Sequence, residues 1–201
     1  LAQGKKIFFF PDMNLGRNTA KSAGLDDSEI ALVTTDFRIK HESSPEKIKL
    51  FLWEGMCPVH HLFKSLAVDS FRKKYPEGKI IAHPEVKPDV AQKADMLGST
   101  QKIFDVIKSA PEGSVWGVGT EVVFVKRLAE MFSGKTIVPV EESKCVDMSK
   151  NSLLTLAESL ASIEEHEATG GKLKYQVIVP DKFKENAKKA LSKMIFIVEE
   201  K

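Results

Sequence analysis

The chain has 201 residues, 42% apolar and 29% charged, proportions that fit a globular protein with one good core or two small ones. Its 30 basic and 28 acidic residues leave a net charge of +2 and are spread along the whole length, so no basic face marks it for nucleic acid or an anionic membrane. No run approaches the roughly 18 apolar residues of a membrane span, and Leu1 to Lys6 has no signal-peptide core, so a cytoplasmic protein with neither membrane nor nucleic-acid partners is expected.

Leu1, not Met, stands only a few residues ahead of the apolar run Ile7-Phe8-Phe9-Phe10, so the chain is expected to begin in mid-protein. From there short apolar runs alternate with amphipathic stretches, the pattern of βα units on a mainly parallel sheet. Strands are predicted at Ile7 to Phe10, Leu50 to Trp53, Lys79 to Ala82, Ser114 to Val118 and Thr136 to Val140. Helices are predicted at Leu62 to Tyr75, Val86 to Met96, Thr100 to Ser109 and Glu121 to Phe132. Leu25 to Ile48, with its polar string Lys40-His41-Glu42-Ser43-Ser44-Pro45, reads as a surface excursion between a helix and the next strand. Beyond Cys145 the apolar spacing turns helical through Leu153, Leu154, Leu156, Leu160 and Ile163; a short strand at Tyr175 to Val179 and a helix from an Asp181 N-cap through Ile197 close the chain.

In an open parallel sheet, ligands bind where the loops leave the carboxyl ends of the strands. Five polar loops fall there: Pro11 to Gly16, Glu54 to His60, His83-Pro84-Glu85, Thr120-Glu121 and Glu141 to Cys145. Pro84 holds His83 and Glu85 extended at a strand end, as an acid/base pair or as a plain solvated loop. Gly98-Ser99-Thr100 opens a helix whose unpaired N–H groups favour a phosphate or carboxylate, a simple Ser/Thr cap being the alternative. Cys57 and Cys145 are too far apart in sequence for a zinc knuckle, and two unrelated buried thiols is the plainer alternative for them. His60 and His61 are weak candidates for metal ligands, because adjacent histidines point in different directions and Cys57-x-x-His60 has no second half nearby. His41 and His166 lie in charged surroundings and read as surface residues.

Taken in order, Pro11-Asp12-Met13-Asn14-Leu15-Gly16-Arg17-Asn18, Trp53-Glu54-Gly55-Met56-Cys57-Pro58-Val59-His60, His83-Pro84-Glu85, Gly98-Ser99-Thr100, Gly119-Thr120-Glu121-Val122 and Cys145-Val146-Asp147-Met148 resemble the quinolinate synthase family, in its longer form, over essentially the whole chain. The resemblance implies an α/β fold of repeated three-layer domains with mainly parallel sheets, arranged pseudo-threefold in the complete family protein. It also implies a [4Fe–4S] transferase of NAD biosynthesis that condenses iminoaspartate with dihydroxyacetone phosphate to quinolinate, with loss of water and phosphate. In the family, the resemblance implies, three cysteines, one per domain, hold the cluster and leave one iron open. By this resemblance Cys57 and Cys145 are two of the ligands, Glu85 is the catalytic carboxylate, and His83, Ser99 and Thr100 bind substrate.

The family layout divides the chain into 1–53, part of a middle domain, 54–142, a third domain, and 143–201, the last cysteine loop with a helical end. The first domain and its cysteine have no counterpart here, so the isolated chain is expected to expose apolar surface and neither to hold a stable cluster nor to turn over. L-Aspartate oxidase or aspartate dehydrogenase is the expected supplier of iminoaspartate, and a homodimer is compatible with the resemblance. An inactive fragment or anion-binding α/β module is the alternative; a further one is another [4Fe–4S] lyase, such as the diphthamide-forming enzymes.

Overall fold

The computed structural model describes residues 4–199, so the expectation resting on Leu1 lies outside the described residues. The chain divides into two compact units, with the border after Val146.

The first unit contains two four-stranded sheets. In the first, β1 (Ile7–Phe9) and β2 (Ile30–Val33) flank β4 (Leu50–Trp53) in parallel, and β3 (Ile39–Lys40) adds an antiparallel edge beside β2. The second is wholly parallel, in the order β6-β5-β7-β8: β5 (Lys79–Ala82), β6 (Met96–Leu97), β7 (Val115–Gly119) and β8 (Thr136–Pro139). The class expected from the alternating pattern is the one observed.

Side chains of the second sheet alternate between two layers of helices, as a strand periodicity of two requires. Ile81, Trp116, Val118 and Ile137 pack with Ile103 and Ile107 of α5 (Thr100–Ser109) and Val125 and Leu128 of α6 (Val122–Met131). Ile80 and Ala82 face the other way, against Val68 and Phe71 of α3 (Ser65–Lys74) and Val90 of α4 (Pro88–Lys93). Gly117 has no side chain because the Phe71 ring lies over it; a Cβ there would come within 2.9 Å of that ring.

The helix α1 (Met13–Ser22) joins the two sheets. Its Gly16 lies against the first sheet, where an added Cβ would meet Leu52 Cδ2 at 2.4 Å and Phe9 Cδ1 at 2.7 Å. Its buried Asn18 donates from Nδ2 to the carbonyls of Pro84 and Val86, both at 2.8 Å, and so ties the first sheet's helix to the loop leaving β5.

Several expectations are corrected. The excursion from Leu25 to Ile48 is only partly at the surface: β2 lies inside the first sheet with Ile30, Ala31 and Val33 buried. Its four apolar residues are too few to announce a strand alone, and the parallel pairing with β4 decides it. The helix expected over Val86 to Met96 stops at Lys93, because Asp95 N–H bonds to the Ile80 carbonyl and draws Met96–Leu97 into the sheet as β6. The one expected at Leu62 to Tyr75 is α3 preceded by a short helix α2 (Pro58–His61), the break falling where Phe63 is fully buried.

The second unit contains α7 (Leu153–Thr169), entered through a Ser152–Thr155 capping box and closed by Gly170 at φ +73°, and α8 (Asp181–Glu199). Asp181 is the first helical residue rather than the cap before it. Tyr175 to Val179 forms no strand; no described strand of this unit is present to pair with it, and the Tyr175 hydroxyl instead donates to Glu158.

Candidate active site

The site is built at the carboxyl edge of the second sheet and the loops that meet it. His83 leaves β5 with its N–H bonded to the carbonyl of Gly119, the last residue of β7, so His83 and Thr120 emerge side by side from neighbouring strands. His60, in α2 and only 8% exposed, reaches both: its Nδ1 lies 2.8 Å from Glu85 Oε2 and its Nε2 lies 2.9 Å from Thr120 Oγ1. The rings of His60 and His83 stack at 4.2 Å between centroids and 15° between planes.

These contacts define protonation roles. Burial lowers the His60 pKa to about 4, so the ring is neutral at pH 7. An ionised Glu85 only accepts, so His60 Nδ1–H donates to it and Nε2 accepts the Thr120 hydroxyl proton. Burial also lowers the His83 pKa, helped by the neighbouring His60, with Glu85 pulling the other way. The Glu85 N–H donates to His83 Nδ1 at 3.4 Å, which leaves His83 Nε2–H as the donor on that ring.

Cys57 enters this group. One ligand atom each from Cys57, His60 and Glu85 lies within 4.8 Å of the others, a set able to hold a metal ion. Burial raises the Cys57 thiol pKa, so ligation there has to displace a proton. The Cys57 loop approaches the end of β1 very closely: Met13 N–H bonds to the Gly55 carbonyl at 2.8 Å, and a Cβ on Gly55 would lie 1.9 Å from the Pro11 carbonyl oxygen. The glycine of Trp53-Glu54-Gly55-Met56-Cys57 is required by that contact.

The Cys145 loop is tied to the Cys57 loop through Ser143, whose hydroxyl donates to the Val59 carbonyl at 2.9 Å. Both cysteines are half-buried and neither forms a disulfide. Two soft thiols on adjoining loops suit a thiophilic metal or an iron–sulfur group better than a hard cation.

Ser99 and Thr100 lie at the start of α5, on the same sheet edge, because Gly98 N–H bonds to the Ala82 carbonyl at 3.0 Å. Both are exposed, and Ser99 Oγ accepts from Lys102 N–H at 3.2 Å. The local sequence therefore produces the cap, and no described hydrogen bond joins either residue to Glu85 or His83. The connections of His60 to Glu85 and Thr120 are not legible in the sequence, where the partners are far apart. His61, as expected of its neighbour position, points elsewhere and meets Asn14 Nδ2 at 3.2 Å.

The fold and site together define an α/β protein in which a buried imidazole joins a half-buried carboxylate and a buried hydroxyl beside paired cysteine loops at a parallel-sheet edge. A family model described as quinolinate synthetase A protein, NadA, matches residues 1–196. The chain is 36% identical over 197 residues to a quinolinate synthase of Geobacillus sp. (strain WCH70), covering 96% of this chain and 52% of that protein. It is 37% identical over 203 residues to a quinolinate synthase of Acidobacterium capsulatum, covering 98% and 53%. This chain belongs to the quinolinate synthase family, and it spans about half the length of the curated relatives it matches.

Proposed function

We propose that this chain carries the proton-transfer part of a quinolinate synthase site, acting on iminoaspartate and dihydroxyacetone phosphate to form quinolinate for NAD biosynthesis. The reading is supported by family membership, and the observation that carries it is the half-buried Glu85 carboxylate held by His60 beside Cys57.

In this reading Glu85 accepts a proton from the substrate and returns it to a departing hydroxyl. The His60 Nδ1–H steadies the carboxylate while it is charged, and the Thr120 hydroxyl holds His60 in the tautomer that can do so. His83 offers Nε2–H to a substrate oxygen. The first turn of α5, with Ser99 and Thr100, takes an anionic group, phosphate or carboxylate, through its unpaired N–H groups and hydroxyls.

Cys57 and Cys145 fit as two thiolate ligands of a [4Fe–4S] cluster, a third being needed beyond the two cysteines of this chain. When bound, such a cluster supplies an open iron that acts as a Lewis acid toward a substrate hydroxyl or carboxylate. Iminoaspartate would come from an L-aspartate oxidase or aspartate dehydrogenase. With no helix long and apolar enough to cross a membrane among the described residues, a cytoplasmic location accords with these small polar substrates.

The test is quinolinate formation by the full-length protein after anaerobic reconstitution with iron and sulfide. Glu85→Gln should lower the rate by about 10²- to 10⁴-fold while leaving the cluster spectrum intact. Undiminished turnover in that variant removes Glu85 from the proton-transfer role, and absence of quinolinate from the reconstituted wild type overturns the reading.

A further inference from the structure

The two cysteine loops are held in the same way, by residues that no role has so far been given. Asp12 follows β1 and caps α1: its Oδ1 accepts from Leu15 N–H at 2.7 Å. Its other oxygen, Oδ2, accepts the backbone N–H of Cys57 at 2.7 Å. Glu121 follows β7 and caps α6, with Oε2 accepting from Val123 N–H at 2.8 Å and Phe124 N–H at 3.1 Å. Its other oxygen, Oε1, accepts the backbone N–H of Cys145 at 3.4 Å.

The correspondence extends to the main chain. The residue after each acid donates its N–H to the carbonyl two residues before the cysteine: Met13 to Gly55 at 2.8 Å and Val122 to Ser143 at 2.9 Å. In both cases the cysteine follows the strand paired in parallel with the one before the acid, β4 beside β1 and β8 beside β7. Asp12 is 3% exposed and Glu121 8%, so each carboxylate depends on these N–H donors rather than on water.

A helix cap uses one carboxylate oxygen, and a serine would supply it. The second oxygen has a separate use in both places. We propose that Asp12 and Glu121 are equivalent positioning residues for Cys57 and Cys145, each holding its cysteine's backbone N–H and so setting the loop before any iron binds. The inference deepens the reading of the two thiols as ligands of one iron–sulfur group. Its structural part concerns the metal-free loops and can fail independently of that reading.

The discriminating variants are Asp12→Ser and Glu121→Ser, which keep a capping oxygen and remove the one that reaches the cysteine. In the metal-free 201-residue chain, amide hydrogen exchange should show Cys57 and Cys145 protected in the wild type. Asp12→Ser should speed exchange at Cys57 by about tenfold or more, and alkylation of its thiol with it, while leaving Cys145 unchanged. Glu121→Ser should do the reverse, with a smaller effect in line with its longer bond. In the reconstituted full-length protein each variant should retain less iron per chain than the wild type.

Wild-type amides of both cysteines exchanging at the rate of open loops would overturn the proposal without any variant. So would a folded Asp12→Ser or Glu121→Ser chain whose cysteine exchanges and alkylates as in the wild type. If the wild-type full-length protein binds no cluster while the exchange pattern is as stated, the cluster reading fails and the positioning role stands.

Discussion

His60 shows how one side chain acquires its chemistry from partners distant in sequence. Its ring is neutral because it is buried, and both nitrogens are already committed, one to Glu85 and one to Thr120. Burial places its folded pKa near 4, below the ordinary 6.5, so the unfolded chain binds the extra proton first as pH falls. Its contribution is complete above about pH 6.5 and is lost progressively toward pH 4, on the order of 2–3 kcal/mol. His83, lowered in the same direction, adds to the trend. Melting temperatures of the metal-free chain between pH 7 and 4.5 should therefore fall, and His60→Gln should flatten the profile. An equally steep decline in that variant would assign the acid sensitivity to other groups.

At the scale of elements, α1 is seated by the absence of a side chain. Gly16 lets the helix approach Phe9 and Leu52 more closely than any Cβ permits, while Asn18, also buried, reaches the Pro84 and Val86 carbonyls on either side of Glu85. Gly16→Ala should improve intrinsic helix propensity yet destabilise the protein by about 1–3 kcal/mol through overpacking. Leu52→Ala, at a fully buried position, should cost about 2–5 kcal/mol. The two share one space, so chemical denaturation of the double variant should show less than the sum of the single losses. Strict additivity would mean that the helix does not press on Leu52.

This element also marks the limit of local sequence signals. The Ser99 cap follows from residue type and the helical pattern beside it, whereas the polar loop expected over Pro11 to Gly16 is helical from Met13 on, capped by Asp12, because Gly16 lets that segment pack on the first sheet. The strand at Ile30–Val33 did not stand out, because its surroundings Asp26 to Glu29 and Lys40 to Pro45 are polar and only β4 makes it central. Met96–Leu97 was hidden for a similar reason, since two residues have no periodicity and only pairing with β5 makes them a strand.

At the scale of the whole molecule, stability is unevenly distributed. Every apolar residue of the buried core among the described residues belongs to the unit ending at Val146, whereas the long helices α7 and α8 bury only Ser162. A chain ending at Val146 should keep a cooperative thermal transition within a few degrees of the parent, and residues 147–201 alone should show none. A cooperative transition in the isolated second unit would show that it has a core of its own.

The order of motifs and the alternation of strands and helices were determined by the sequence itself, because strand periodicity and capping residues are local, while Glu85, His83, Cys57 and Cys145 were marked as candidate chemistry by the resemblance their motifs carry. Only the tertiary structure decided that β2 lies inside a sheet, that His60 bridges Glu85 and Thr120, and that Asp12 and Glu121 hold the two cysteine loops alike. The reason is distance along the chain: a hydrogen bond between Asp12 and Cys57 exists only after parallel pairing has set the ends of β1 and β4 side by side, and one between His60 and Thr120 only after the segment leaving the first sheet has met the end of β7 in the second.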